Sequence, residues 1–337
     1  MDENATSESN TGKPDETAPR NLPIHLHGFD TRERAVVFSE WLAGYVREIS
    51  RYMDLSQLDG VTIAHDYRQA LLDLDRGNIS LPPLTPSDGY AIGVAMTPLV
   101  MRDNSLKSHI VLNAAFMLAL ENHQHENHRF AFHILAHECA HVEITHRFNT
   151  VFPGVLLQRR RNLQEACRWP IIISCWDEYA ATFKSALYGD VQIDGYEETF
   201  LNCLDGARPS ANRLIAAYRS HASVDQILRE VYGVYGDLLK FAAYHIGNIH
   251  GLNLTLDDVP RTTDALDGHW FAPYFEELTA ACEAIAENYG QWPDQTAFEV
   301  IGDLADRLVA DGGLYITVID NNQLYVDIPF SPETMPD

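Results

Sequence analysis

His137-Glu138-Cys139-Ala140-His141 lies inside a run that reads as one helix from about His128 to Arg147. Phe130, Ile134 and Leu135 precede it and Val142 and Ile144 follow, apolar residues at helical spacing. Asn127 offers an N-cap, and Pro153-Gly154 a stop. Residues four apart share a helix face, so His137 and His141 stand one turn apart and can reach a single tetrahedral ion. Zinc takes nitrogen, sulfur and carboxylate ligands at about 2.0–2.3 Å and, in catalytic sites, keeps one position for water. Glu138 then projects toward that water and can accept its proton as a general base. The ion would lower the water's pKa toward neutrality and polarise a scissile carbonyl. The expectation is one Zn2+ per chain, held by His137 and His141 and served by Glu138.

A third ligand is needed. The residue six positions after His141 is Arg147, and His146 comes one residue early on the continuing helix. Downstream, Trp176-Asp177-Glu178-Tyr179-Ala180-Ala181-Thr182-Phe183 reads as part of a second helix, with Pro170 before it, Gly189 after it and Ser174 as a possible cap. Glu178 is the expected metal ligand there, with Asp177 as rival, and Ala180 and Ala181 would permit close helix approach. In the competing reading, both are first-turn acids favoured by the helix dipole.

Two helices bearing HExxH and a later Glu resemble the gluzincin metallopeptidases, and more closely the ImmA/IrrE-type regulatory peptidases. The likeness rests on Ile110-Val111-Leu112-Asn113, on Arg129-Phe130-Ala131-Phe132-His133-Ile134-Leu135-Ala136 leading into His137, and on Glu178-Tyr179-Ala180-Ala181-Thr182-Phe183. It covers roughly 92–188. Ala140 stands where that family usually has glycine, and the gap from His141 to Glu178 is longer. The resemblance implies a zincin-like core and an intracellular peptidase cutting one or a few protein partners.

The chain has 337 residues, 46% of them apolar, and a formal charge of −24. That field repels phosphate backbones, so nucleic acid is not an expected partner. Arg159-Arg160-Arg161, the only dense basic cluster, reads as a solvated loop. Residues 1–29 read as a disordered acidic tail with no secretory pattern. No window is apolar enough to cross a membrane. Five cysteines, an odd number without a CxxC pair, suit a reducing compartment, hence an expected cytoplasmic location.

A helix capped by Asp30 or Thr31 is expected to run to about Met53, its apolar face carrying Val36, Val37, Trp41, Leu42, Tyr45, Val46, Ile49 and Met53. Val61–Ala64 reads as a strand, Tyr67–Leu74 as a helix and 81–89 as a loop. Ile92–Met101 and Leu106–Leu112 read as a hairpin about Arg102-Asp103-Asn104-Ser105, with Pro98 at an edge or ending its strand early. Leu106–Leu112 is a candidate edge for an extended peptide. Asn113 can cap a helix through Leu120. Helical patterns return near Arg213–Tyr218, Val224–Ile246, Tyr274–Asn288 and Gln295–Ala310, before a last hairpin about Asp320-Asn321-Asn322-Gln323.

The expected fold is therefore α+β, a small, mostly antiparallel sheet against two ligand helices. A metallopeptidase domain over 30–204 precedes a helical region over 205–337. An oxyanion-stabilising group is sought among Tyr179, His221, Tyr244 and His245, with His245 and Tyr244 preferred. His133 reads as a hydrogen-bonded histidine, Cys139 as core, and His123, His125 and His128 as a polar loop. Two other readings compete: a di-iron carboxylate site through Glu138-x-x-His141 and Glu143-x-x-His146, and an inactive zincin-like binding or scaffolding protein.

Overall fold

The computed structural model describes residues 13–77, 84, 94–319 and 323–335. The first part of the expected tail, the loop at 81–89 apart from Leu84, and the turn at 320–322 lie outside them. The fold is α+β, and the chain divides into two compact units at Glu143/Ile144, within the motif helix.

The first unit contains β1 (Ile24–His27), α1 (Arg32–Ile49), β2 (Leu58–Ala64), α2 (Tyr67–Asp73), β3 (Ala95–Met96), β4 (Leu99–Arg102), β5 (Ser105–Asn113) and α3 (Ala114–Met117). It also holds the start of α4 (His128–Val151). The sheet order is β1-β2-β5-β3, with β4 also on β5. β1, β2 and β5 run parallel, while β3 and β4 are antiparallel to β5, so the sheet is mixed and not mostly antiparallel.

The expected tail is ordered over its second half. Ile24 and Leu26 pair with Val61 and Ile63, and Thr17 Oγ1 accepts the Leu55 N–H at 2.9 Å. A strand with only two large apolar residues escapes a compositional reading because its partner lies far along the chain.

Asp103 (φ 49°) and Asn104 (φ 62°) make a two-residue turn with both residues left-handed, the type I′ geometry that matches strand twist. Ala95↔Leu112 and Leu99↔Ser108 keep one register on both sides of Thr97-Pro98. Pro98 has no N–H to donate, so the strand is interrupted, yet its carbonyl still accepts the His109 N–H at 3.0 Å. The β3–β4 strand is the sheet edge. β5, expected to be that edge, is paired on both sides.

Thr31 caps α1 through the Arg34 N–H. The buried stripe is Phe38, Leu42, Val46 and Ile49, whereas Val36, Val37 and Trp41 are 47%, 51% and 43% exposed. The expected apolar face was thus too wide. Asn113 ends β5 and caps α3 through the Ala115 N–H, and a 3₁₀ turn over Leu118–Glu121 follows.

The second unit is mainly helical: α5 (Leu163–Ser185), α6 (Ile193–His221), α7 (Val224–Gly251), α8 (Pro260–Leu266), α9 (Ala272–Glu287) and α10 (Thr296–Asp311), then the ribbon β6 (Tyr315–Val318) and β7 (Leu324–Asp327). α5 packs along α7. Gly247 permits this, since a Cβ there would lie 2.2 Å from the Tyr179 carbonyl and from Thr182 Oγ1.

Two expectations fail here. The boundary at 204/205 falls inside α6, whose Phe200, Cys203, Leu204, Ala207 and Ala211 are buried along its length. α5 begins at Leu163, where Asn162 accepts the Glu165 N–H, so Pro170 lies inside the helix and Ser174 bonds back to the Ile171 carbonyl. No helix among the described residues is long and apolar enough to cross a membrane.

Candidate metal centre

α4 carries both histidines on a buried face. His137 and His141 are each 8% exposed, their Nε2 atoms 3.0 Å apart and their ring planes nearly perpendicular at 87°. Two buried ring nitrogens at that distance either share a proton or share a cation. Ligands of a tetrahedral zinc with bonds of 2.0–2.1 Å stand about 3.3 Å apart, so the pair fits such an ion after a small adjustment. Glu138 is 6% exposed, and one ligand atom from each of the three residues falls within 4.8 Å of the others. Among the described residues, no other group of three His, Cys, Asp or Glu side chains converges this way.

Glu138 is held from the sheet edge. Thr97 Oγ1, in the gap between β3 and β4, donates to Glu138 Oε2 at 2.7 Å and lies 3.2 Å from the Glu138 carbonyl. A hydroxyl donor to a buried carboxylate fixes which way that carboxylate faces. Tyr67, at the start of α2, is a second neighbour. Its ring packs with Leu71 and Val111, and burial, then the charge of Glu138, pushes its phenol well above the ordinary tyrosine range. Its hydroxyl is buried with no hydrogen-bond partner among the described residues. Neither Thr97 nor Tyr67 was legible as a site residue in the sequence. Thr97 had one indirect signal, the strand-breaking Pro98 beside it.

The remaining residues of the motif helix take structural places. Cys139 is fully buried, and burial followed by the Glu138 charge raises its thiol pKa, leaving a neutral core side chain. His133 is 2% exposed, with its ring 6.4 Å from that of His137. Glu143 Oε2 accepts the Asp54 N–H at 3.0 Å, a structural use for the second glutamate of the di-iron reading. His128 Nε2 lies 2.9 Å from the Tyr45 hydroxyl, and the His123 ring packs 4.6 Å from His128.

Glu178 and Asp177 lie in the second unit, on α5. Because that helix starts at Leu163, they sit several turns in, and its first-turn acid is Glu165. The helix-dipole explanation for Asp177 and Glu178 is thereby removed.

The expected oxyanion groups have other employment. His245 is completely buried. Thr262 Oγ1 donates to Glu197 Oε1 at 2.8 Å, so it accepts from the Nε2–H of His245, also at 2.8 Å. Tyr179 OH lies 3.0 Å from His250 Nδ1, Tyr244 stacks on Tyr196 and Phe241, and His221 accepts the Ser223 N–H. No family model, curated protein or solved structure matches the chain.

Proposed function

We propose that this chain is a zinc-dependent peptidase in which His137, His141 and Glu178 hold the metal and Glu138 is the general base. The observation that carries the reading is the convergence of two buried imidazoles, 3.0 Å apart, beside a carboxylate oriented by Thr97. Glu178 is the third ligand that the sequence pattern expects. When bound, zinc would supply a water acidic enough to react near neutral pH and would polarise the peptide carbonyl.

The chain's own residues do the rest. Glu138 takes a proton from the attacking water and returns it to the leaving nitrogen, a role that contributes about 10²–10⁴-fold. Thr97 keeps the carboxylate aimed through both transfers. Burial of His137, Glu138 and His141 limits competing hydration of these groups. A protein or peptide substrate and a zincin-like core follow from the resemblance described above. An inactive binding or scaffolding protein is the alternative.

The decisive measurement is metal content by mass spectrometry on wild type and on Glu178→Ala. About one zinc per wild-type chain and much less in the variant supports the three-ligand site. No stoichiometric metal in the wild type refutes it. Glu138→Gln then separates enzyme from scaffold: it keeps the metal, and cleavage falls by at least about 10²-fold.

A further inference from the structure

Arg159-Arg160-Arg161 is a dense run of positive charge in a chain with 48 acidic and 24 basic residues, and the proposed hydrolase site makes no use of it. In the second unit this run lines a cavity of about 460 Å³ together with Gln158, Arg168 and Trp169. Small-molecule sites commonly enclose about 300–1,000 Å³.

Four arginines and three carboxylates line the cavity, and the carboxylates are not shared evenly among the arginines. Its carboxylates are Glu165, Glu299 and Asp306. Glu165 pairs with Arg161 at 3.4 Å. Glu299 and Asp306 both pair with Arg168, each at 2.5 Å. Arg168 also holds Asp303, outside the cavity, so the acids gather on Arg161 and Arg168 and none forms an ion pair with Arg159 or Arg160 among the described residues. Arg159 is exposed and makes no ion pair among the described residues. Among the described residues Arg160 donates only to neutral acceptors, the Val155 carbonyl at 3.1 Å and Gln158 Oε1 at 3.4 Å, and its guanidinium lies 4.0 Å above the Trp169 ring. Burial there lowers its basicity more than the nearby charges of Glu165 and Glu299 raise it. A partly buried guanidinium without a paired anion is an arrangement that a bound anion improves.

We infer that this cavity binds a small phosphate-bearing ligand, gripped by Arg159 and Arg160. Guanidinium forks match phosphate oxygens two at a time, and a phosphate can present several oxygens and up to two charges to two such forks. Gln158, Gln164 and Gln295 line the same space and can bond the uncharged part of the ligand. The ligand is small because the chain's overall negative field opposes a long polyanion.

The test is a thermal-shift titration of the full chain with sodium phosphate, against sodium succinate and sodium chloride at matched ionic strength. The expected result is a saturable rise in Tm with phosphate that chloride does not reproduce and succinate reproduces weakly. Arg159→Gln, which removes an exposed side chain without a partner, weakens the apparent affinity about tenfold, and Arg159→Gln with Arg160→Gln abolishes the rise. No phosphate-specific shift, or a shift unchanged in Arg159→Gln, overturns the proposal. A succinate effect equal to that of phosphate overturns the assignment to phosphate.

Discussion

Thr97 donates a 2.7 Å hydrogen bond to the carboxylate of Glu138, joining the sheet edge to the motif helix. A hydrogen bond to a charged group contributes about 1.5–3 kcal/mol, more than most surface contacts. Thr97→Val keeps the shape and deletes the donor. The expected outcome is a kcat about tenfold lower or worse with metal content unchanged, and Thr97→Ser restores most of it. Equal kcat in the valine variant would remove Thr97 from the mechanism.

Gly247 faces the Tyr179 carbonyl on α5, and a methyl group there would meet it at 2.2 Å. Backbone cannot yield as a flexible side chain does, so α5 and α7 must separate. Gly247→Ala should destabilise by about 3 kcal/mol, the upper part of the usual overpacking range, despite the better helix propensity of alanine. Urea unfolding measures it, and a variant as stable as wild type contradicts the close packing.

His245 gives a pH signature. Burial depresses its pKa from 6.5 to about 4, and its Nδ1 is buried with no acceptor nearby among the described residues to receive a proton. The unfolded chain therefore binds a proton more readily than the folded one. Stability from this group is complete above about pH 6.5 and is lost as pH falls toward 4, at most about 3 kcal/mol. Against wild type, His245→Phe should flatten the unfolding free energy across that window; identical slopes would show that His245 does not titrate this way.

Arg168 gathers Glu299, Asp303 and Asp306 of α10 onto α5. Arg168→Met leaves those carboxylates repelling one another. Their partial exposure screens much of this, so the expected loss is about 2 kcal/mol. The loss should shrink in 1 M NaCl, measured by chemical denaturation; a salt-independent loss would assign the effect to packing alone.

The motif helix was legible because its apolar spacing and its ligand spacing share the helical period. The β4–β5 hairpin was legible from Asp103-Asn104, whose side chains tolerate positive φ. The first half of α6 was not, since Gly195, Gly206 and Pro209 mimic a break that tertiary packing overrides. Pro170 hid the start of α5 for the same reason. β1 depends on a strand more than thirty residues away, and local pattern carries no such information. Thr97 and Tyr67 were invisible because only the third dimension brings them to Glu138.

The unbroken register of the hairpin gives its turn a reach beyond its own residues. Counting back from Asp103-Asn104, every rung is assigned, and Thr97 is the rung that meets the carboxylate. A slip of one residue would present Met96 or Pro98 instead, neither of which has a hydroxyl to offer. The turn works as the index mark of a ruler: two left-handed residues at the tip of the hairpin decide which side chain is delivered to Glu138.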